Sequence, residues 1–266
     1  SFHNAGDGRL KLDLAIHAEY TSTPKVAAGM AELAARTGLR MHLHLSETRD
    51  EQEACKARHG GKTPARYFYD LGVFDAPTTA AHCVWLEGED FSLLREKGVT
   101  VASCPVSNLK LASGFCPAPR LLQEGVSVAL GTDGVASNNN LNLLEEVKLF
   151  ATLFKATSAD PTAISARQAL WAATRAGALA QGREDCGLMR TGMRADLIVL
   201  DQRRRPYLHP CHDMVGNVVF AAQGSDVCLT MVDGRVLYRD GEYTTIDLER
   251  AIRNAETSAR RIISEL

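Results

Sequence analysis

The sequence predicts an α/β protein made of barrel-type strand–helix units, followed by a smaller antiparallel module. Two patterns in the chain predict this. A unit of apolar strand, polar strand end and helix recurs five times before residue 140, the alternation that gives a parallel sheet with right-handed connections. After residue 190 the pattern changes to short alternating strands around Asp233-Gly234, a strong hairpin turn signal. The 266 residues are 45% hydrophobic and 23% charged, enough for a substantial core. The expected division is 1–190 for the barrel part, 191–245 for the small sheet and 246–266 for a C-terminal helix packing on the barrel.

Taken in order, Lys11 to Ile16 alternates as a strand and ends in His17. Pro24 opens a helix whose apolar spacing runs from Val26 to Arg36 and stops at Gly38. Leu39 to Leu45 is a second strand and delivers His44, with Glu47 three residues beyond. Helices are expected over Asp50–His59 and Thr63–Leu71. Thr78 to Ala81 is strand-like and leads to His82, and Glu87 to Lys97 is helical. Val99 to Ser103 is the fourth strand, ending in Cys104-Pro105. A short helix near Leu121 precedes the strand Val126–Leu130, which ends in Gly131-Thr132-Asp133-Gly134. Helices over 141–156 and 165–181 follow. In the second module strands are expected at Ala195–Leu200, Asn217–Ala221, Val227–Val232 and Arg235–Tyr238, with an amphipathic helix from Leu248 to Leu266 capped by Asp247.

A net charge of −2 gives no electrostatic case for nucleic acid or an anionic membrane. No apolar run approaches the roughly 20 residues that span a bilayer. Seven cysteines, odd in number and without a C-x-x-C pair, argue against a disulfide framework and for a reducing, cytoplasmic setting.

Four of the five strands end in a residue that can bind a metal or move a proton: His17, His44, His82 and Asp133. One such histidine is more often simply packed or hydrogen-bonded. Four at equivalent positions of consecutive units form a constellation, because barrel strand ends converge on one mouth. Imidazole and carboxylate suit Zn, Fe or Mn, and an open metal position acidifies water toward pKa ~7. Glu47, in the loop leaving the second strand, can reach a substrate as a general acid/base without being a ligand, or else caps the helix starting near Arg49. His42 shares a strand face with His44, an H-x-H pair. Were both ligands this would be the first barrel strand, yet only three strands follow before the alternation ends. The strand therefore fits position five, and His42 is expected to line the barrel interior or pack beneath the site.

His44-Leu45-Ser46-Glu47-Thr48, His82-Cys83-Val84-Trp85-Leu86, Ser107-Asn108-Leu109-Lys110-Leu111 and Gly131-Thr132-Asp133-Gly134 closely resemble the amidohydrolase superfamily. Within it they resemble the branch of 5-methylthioadenosine/S-adenosylhomocysteine deaminases and chlorohydrolase-like enzymes. The resemblance implies a (β/α)8 TIM-type barrel of which strands four to eight are present, plus part of a small β-sandwich. It implies one divalent metal, zinc first with iron or manganese as alternatives, and a metal set of His44, His82 and Asp133. It makes Glu47, His82 and Asp133 catalytic, and His17, Glu47 and Asp133 substrate-binding. Relatives commonly carry Pro where this chain has Glu19.

The family also binds its metal through an H-x-H on strand one, and no such strand lies upstream of His17. The expectation is therefore a C-terminal part of a longer protein, short of a segment on the order of 150 residues by the size of this fold. Alone it should not hold the metal properly. The implied activity is hydrolytic deamination of an adenosine-like nucleoside (S-adenosylhomocysteine, 5-methylthioadenosine or 5'-deoxyadenosine) with release of ammonia. The alternatives are a guanine or triazine aminohydrolase or chlorohydrolase, and a non-catalytic scaffold. The expected partner is a small-molecule substrate, with a homo-oligomer in keeping with the family.

Overall fold

A computed structural model of the chain describes residues 2–266. Five parallel strands, β1 (Leu14–Ile16), β2 (Met41–Leu45), β3 (Thr78–His82), β4 (Thr100–Ser103) and β5 (Ser127–Leu130), form one sheet in sequential order. The connections carry α1 (Pro24–Thr37), α2 (Arg49–Arg58), α3 (Pro64–Asp70), α4 (Asp90–Glu96), α5 (Pro105–Lys110) and α6 (Ala118–Gln123). The helix starts follow local chemistry. Thr23, Thr48 and Thr63 each accept a backbone N–H of the first turn, and Pro24 and Pro64 occupy the position where no donor is needed. Helix α5 was not anticipated. Its signal was Pro105, with one residue between it and the strand, which opens a helix as readily as a turn.

The pleat sorts the strand residues onto two faces. Leu43, Ala80, Val101 and Val128 are register partners, lie on one face with Ile16, and are buried with Phe68, Phe74 and Phe91 from the covering segments. The opposite row pairs His44 with Ala81, Ala102 and Ala129. These small side chains leave room beside the His44 ring. His42 lies on this face one pleat earlier, beside Thr79, and its side chain is exposed.

Beyond β5 come α7 (Val135–Asn138), α8 (Leu143–Ser158), α9 (Ala166–Trp171) and α10 (Gly177–Ala180). The expected single helix over 165–181 is interrupted by a π-helical stretch at Ala172–Ala176. Its alanines suit close approach: Ala176 and Ala180 pack on Ala129, and the Thr79 hydroxyl donates to the Ala180 carbonyl at 3.0 Å. This segment covers the inner face below His44.

The second module is an antiparallel sheet in the order β6 (Leu197–Leu200), β7 (Val227–Val232), β8 (Arg235–Arg239), β9 (Glu242–Tyr243). Asp233 and Gly234 both have positive φ, 52° and 77°, as the two-residue hairpin requires. Two expectations fail here. Asn217–Ala221 is not a strand but part of helix α11 (Met214–Phe220), capped by Asp213 and packed against α8 and α9 with Val219 fully buried. The valines favour a strand locally, and tertiary packing overrides them. The last helix, α12 (Leu248–Ser264), starts at the Asp247 cap as expected, but each of its residues is exposed. It does not pack on the parallel sheet, because its apolar stripe meets no partner among the described residues. No described helix is long and apolar enough to cross a membrane. All seven cysteines are free.

Candidate active site

The C-terminal ends of the five strands gather the predicted residues. His17, His44 and His82, from three adjacent strands, form a row of imidazoles. The His17–His44 ring centroids are 4.9 Å apart, and those of His44 and His82 are 5.4 Å apart with the rings nearly parallel. His44 donates Nδ1–H to the His17 carbonyl at 2.7 Å. A carbonyl only accepts, so this bond sets the tautomer and leaves the His44 Nε2 lone pair free. The His17 Nδ1 pairs with the Thr21 hydroxyl at 2.9 Å, and Tyr20 stands edge-on to the ring.

His82 is buried, with Nδ1 at 2.8 Å from Asn108 Oδ1 and Nε2 at 3.8 Å from the Glu47 carboxylate. The Ser113 hydroxyl donates to Glu47 Oε1 at 3.4 Å. The loop holding Ser113 needs Gly114, whose φ is +123° and where a Cβ would come within 2.9 Å of Val84. Asp133 follows β5; its Oδ2 accepts from Ser107 at 2.7 Å and its Oδ1 from the Gly134 N–H at 2.7 Å. Burial acts to raise the Asp133 carboxyl, but the bonds from Ser107 and Gly134 and the nearby His82 outweigh it and hold it below its ordinary value.

Strain is concentrated here. Ser46, His82, Cys83 and Asp133 are not glycine yet have φ of 49°, 70°, 50° and 59°. Such conformations cost about 1–3 kcal/mol each and persist only where the surroundings impose them. Two buried glutamates, neither singled out from the sequence, help to impose them. Glu51 on α2 accepts the Ser46 and Glu47 N–H groups, at 3.0 and 2.7 Å. Glu146 on α8 accepts from the Val106 N–H at 3.0 Å and the Asn138 side chain at 2.7 Å, and Asn138 also holds the Thr132 carbonyl beside Asp133. Burial raises both carboxyls above their ordinary value. The Thr48-x-x-Glu51 spacing was legible as a capping box; nothing local marked Glu146.

His44, His82 and Asp133 do not bring three ligand atoms within 4.8 Å of one another. Among the described residues only Glu19, Cys55 and His59 do so. That group is already an ion-pair cluster: the buried Glu19 carboxylate takes Arg58 and His59, and Cys55 donates to the Lys62 carbonyl. Burial and the neighbouring Glu19 push the Cys55 thiol up to about 12, so it stays protonated. Glu19, flagged from the sequence as unusual, thus anchors the turn after His17 to the end of α2.

The amidohydrolase family profile matches residues 1–237. A 5-methylthioadenosine/S-adenosylhomocysteine deaminase of Pelotomaculum thermopropionicum is 44% identical over 263 residues, covering 99% of this chain and 60% of the relative. A 5'-deoxyadenosine deaminase of Methanosarcina mazei is 42% identical over 266 residues, covering 100% of this chain and 61% of the relative. The crystal structure of an adenosine deaminase from Xanthomonas campestris with bound zinc superposes with a TM-score of 0.94 at 34% identity, covering 98% of this chain and 59% of that one. The chain thus spans about three fifths of the relatives it matches.

Proposed function

The chain belongs to the amidohydrolase family, and from that premise we propose that it carries the proton-transfer half of a metal-dependent hydrolytic deaminase. The substrate is an adenosine-like nucleoside: S-adenosylhomocysteine, 5-methylthioadenosine or 5'-deoxyadenosine. In this reading β1–β5 are strands four to eight of an eight-stranded barrel, residues 1–190 are its share of the chain, and β6–β9 belong to a small β-sandwich over 191–245. The names of the relatives support the substrate class, and the share of each that the chain spans supports the strand numbering. The observation that carries the reading is the Glu47 carboxylate 3.8 Å from His82 Nε2, at the end of the imidazole row that contains His44.

The donor types suit a divalent ion, while their ligand atoms do not converge within 4.8 Å of one another in this chain. His44 offers a free Nε2 because its Nδ1 is committed to His17, and Asp133 offers a carboxylate, with His82 completing the set. Zinc is the first candidate, with iron or manganese as alternatives. When bound, the ion lowers the pKa of water to ~7. The residues do the rest. Asp133 accepts a proton from the attacking water, and His82, held by Asn108, orients that water. Glu47 gives a proton to the ring nitrogen next to the amino-bearing carbon as the water oxygen adds to that carbon. The proton taken by Asp133 then passes to the amino group, the C–N bond breaks and ammonia leaves, while the hydroxyl proton of the adduct returns to Glu47 as the carbonyl forms. His17, fixed by Thr21, contacts the substrate.

The test is ammonia release by the full-length protein from the three nucleosides, with guanine and a chlorotriazine as comparison substrates, before and after metal removal. Metal-dependent turnover of a nucleoside is expected. Turnover of guanine or triazine alone would move the substrate class, and no turnover with metal present would leave a non-catalytic scaffold.

A further inference from the structure

We propose that Glu51 is a positioning residue that sets both proton-transfer groups by clamping the backbone of the loop between them; this rests on the deaminase reading of Glu47 and His82. Glu51 lies on the first turn of α2 and is 5% exposed. Its acidic side chain would ordinarily be read as a helix cap. The Thr48 hydroxyl accepts the Glu51 N–H at 3.1 Å, one half of that cap. The Glu51 oxygens reach further back, one to the Ser46 N–H and one to the Glu47 N–H. A carboxylate has two acceptor oxygens, and here each takes a separate amide at 3.0 and 2.7 Å.

What this holds extends beyond one loop. Ser46 has φ of +49°, which a serine adopts only when constrained. With Ser46 so turned, its carbonyl accepts two N–H groups from the next loop, Val84 at 3.0 Å and Trp85 at 2.9 Å. That loop begins with His82 and Cys83, themselves at φ of +70° and +50°. The chain of contacts runs from Glu51 to the Ser46–Glu47 backbone and from the Ser46 carbonyl to the turn carrying His82. Glu51 touches neither side chain, yet it governs the Glu47–His82 separation through two backbone bonds and one shared carbonyl. A neutral amide in its place puts an NH2 group against one of the two N–H groups, so one bond is replaced by a donor–donor contact.

The experiment compares Glu51→Gln and Glu51→Asp with the wild-type enzyme carrying its metal, by steady-state kinetics, zinc content and amide hydrogen exchange. A misplacement of about 1 Å at reacting groups costs up to ~10²-fold in rate. The expected result for Glu51→Gln is therefore a fall in kcat of about 10–100-fold with KM and zinc content little changed. The Ser46 and Glu47 amides should exchange faster while those of β2 stay protected. Glu51→Asp, which keeps a carboxylate able to reach one amide, should recover part of kcat. Unchanged kcat in a folded Glu51→Gln, or unaltered protection of these amides, overturns the proposal. If Glu51→Gln does not fold, Glu51→Asp is judged by the same two criteria. Free exchange of the Ser46 and Glu47 amides in the wild type also overturns it. If the wild type turns over no nucleoside, it is the deaminase reading that fails, and the exchange measurement still decides the clamp.

Discussion

His44 is held by the backbone of His17, not by its side chain: the Nδ1–H of His44 reaches the His17 carbonyl at 2.7 Å. The two histidines therefore separate cleanly under mutation. His17→Ala keeps the carbonyl, so zinc content should stay at the wild-type level while KM for the nucleoside rises. His44→Ala removes the free imidazole nitrogen and should lose both metal and activity. Metal analysis and kinetics on the two variants check this; loss of metal from His17→Ala would show that the ring itself is a ligand.

Glu47 approaches His82 and Ser113 but none of the proposed metal donors other than His82. As a general acid/base it is worth about 10²–10⁴ in rate. Glu47→Gln should lose kcat by that factor and retain the metal. Retained activity would assign the proton transfer to another group.

Ser107 donates to Asp133 Oδ2 at 2.7 Å. Outer partners of a ligating carboxylate typically contribute 10–100-fold in metal affinity. Ser107→Ala should weaken zinc binding by about that factor, measured by competition with a chelator, with the fold intact by circular dichroism.

Glu19 gives a pH signature. Burial acts to raise its carboxyl, but the bonds and charges of Arg58 and His59 bring it below the ordinary 4.5. A carboxyl whose folded value is depressed stabilises the protein above its unfolded value, and the contribution is lost as pH falls through the folded value. Glu19→Gln should therefore cost about 1–3 kcal/mol at pH 7, and the difference from wild type should shrink below pH ~4. Urea melts at pH 7 and at pH 3.5 test this; an equal difference at both would assign the cost to packing instead of charge.

The parts of the site that were legible were those marked by a break in local pattern. His17, His44, His82 and Asp133 each end an apolar run, and a strand end is where a polar group can be exposed without disturbing the core. The hairpin at Asp233-Gly234 was legible for a similar reason, since few residue pairs accept positive φ twice. Helix α11 was not legible, because its valines favour a strand and only contact with α8 and α9 decides otherwise. The same holds for Glu146, whose partners Val106 and Asn138 lie forty and eight residues away.

By itself the sequence determined the alternation of strands and helices and which residues stand at the strand ends. These follow from periodicity and backbone preference, which are local. Tertiary structure decided the rest: that three imidazoles line up in a row, that the His17 carbonyl sets the His44 tautomer, and that Glu51 reaches back to the Ser46 and Glu47 amides. Those relations depend on parallel register and on φ values that serine, histidine and aspartate adopt only when neighbouring strands and buried carboxylates hold them there.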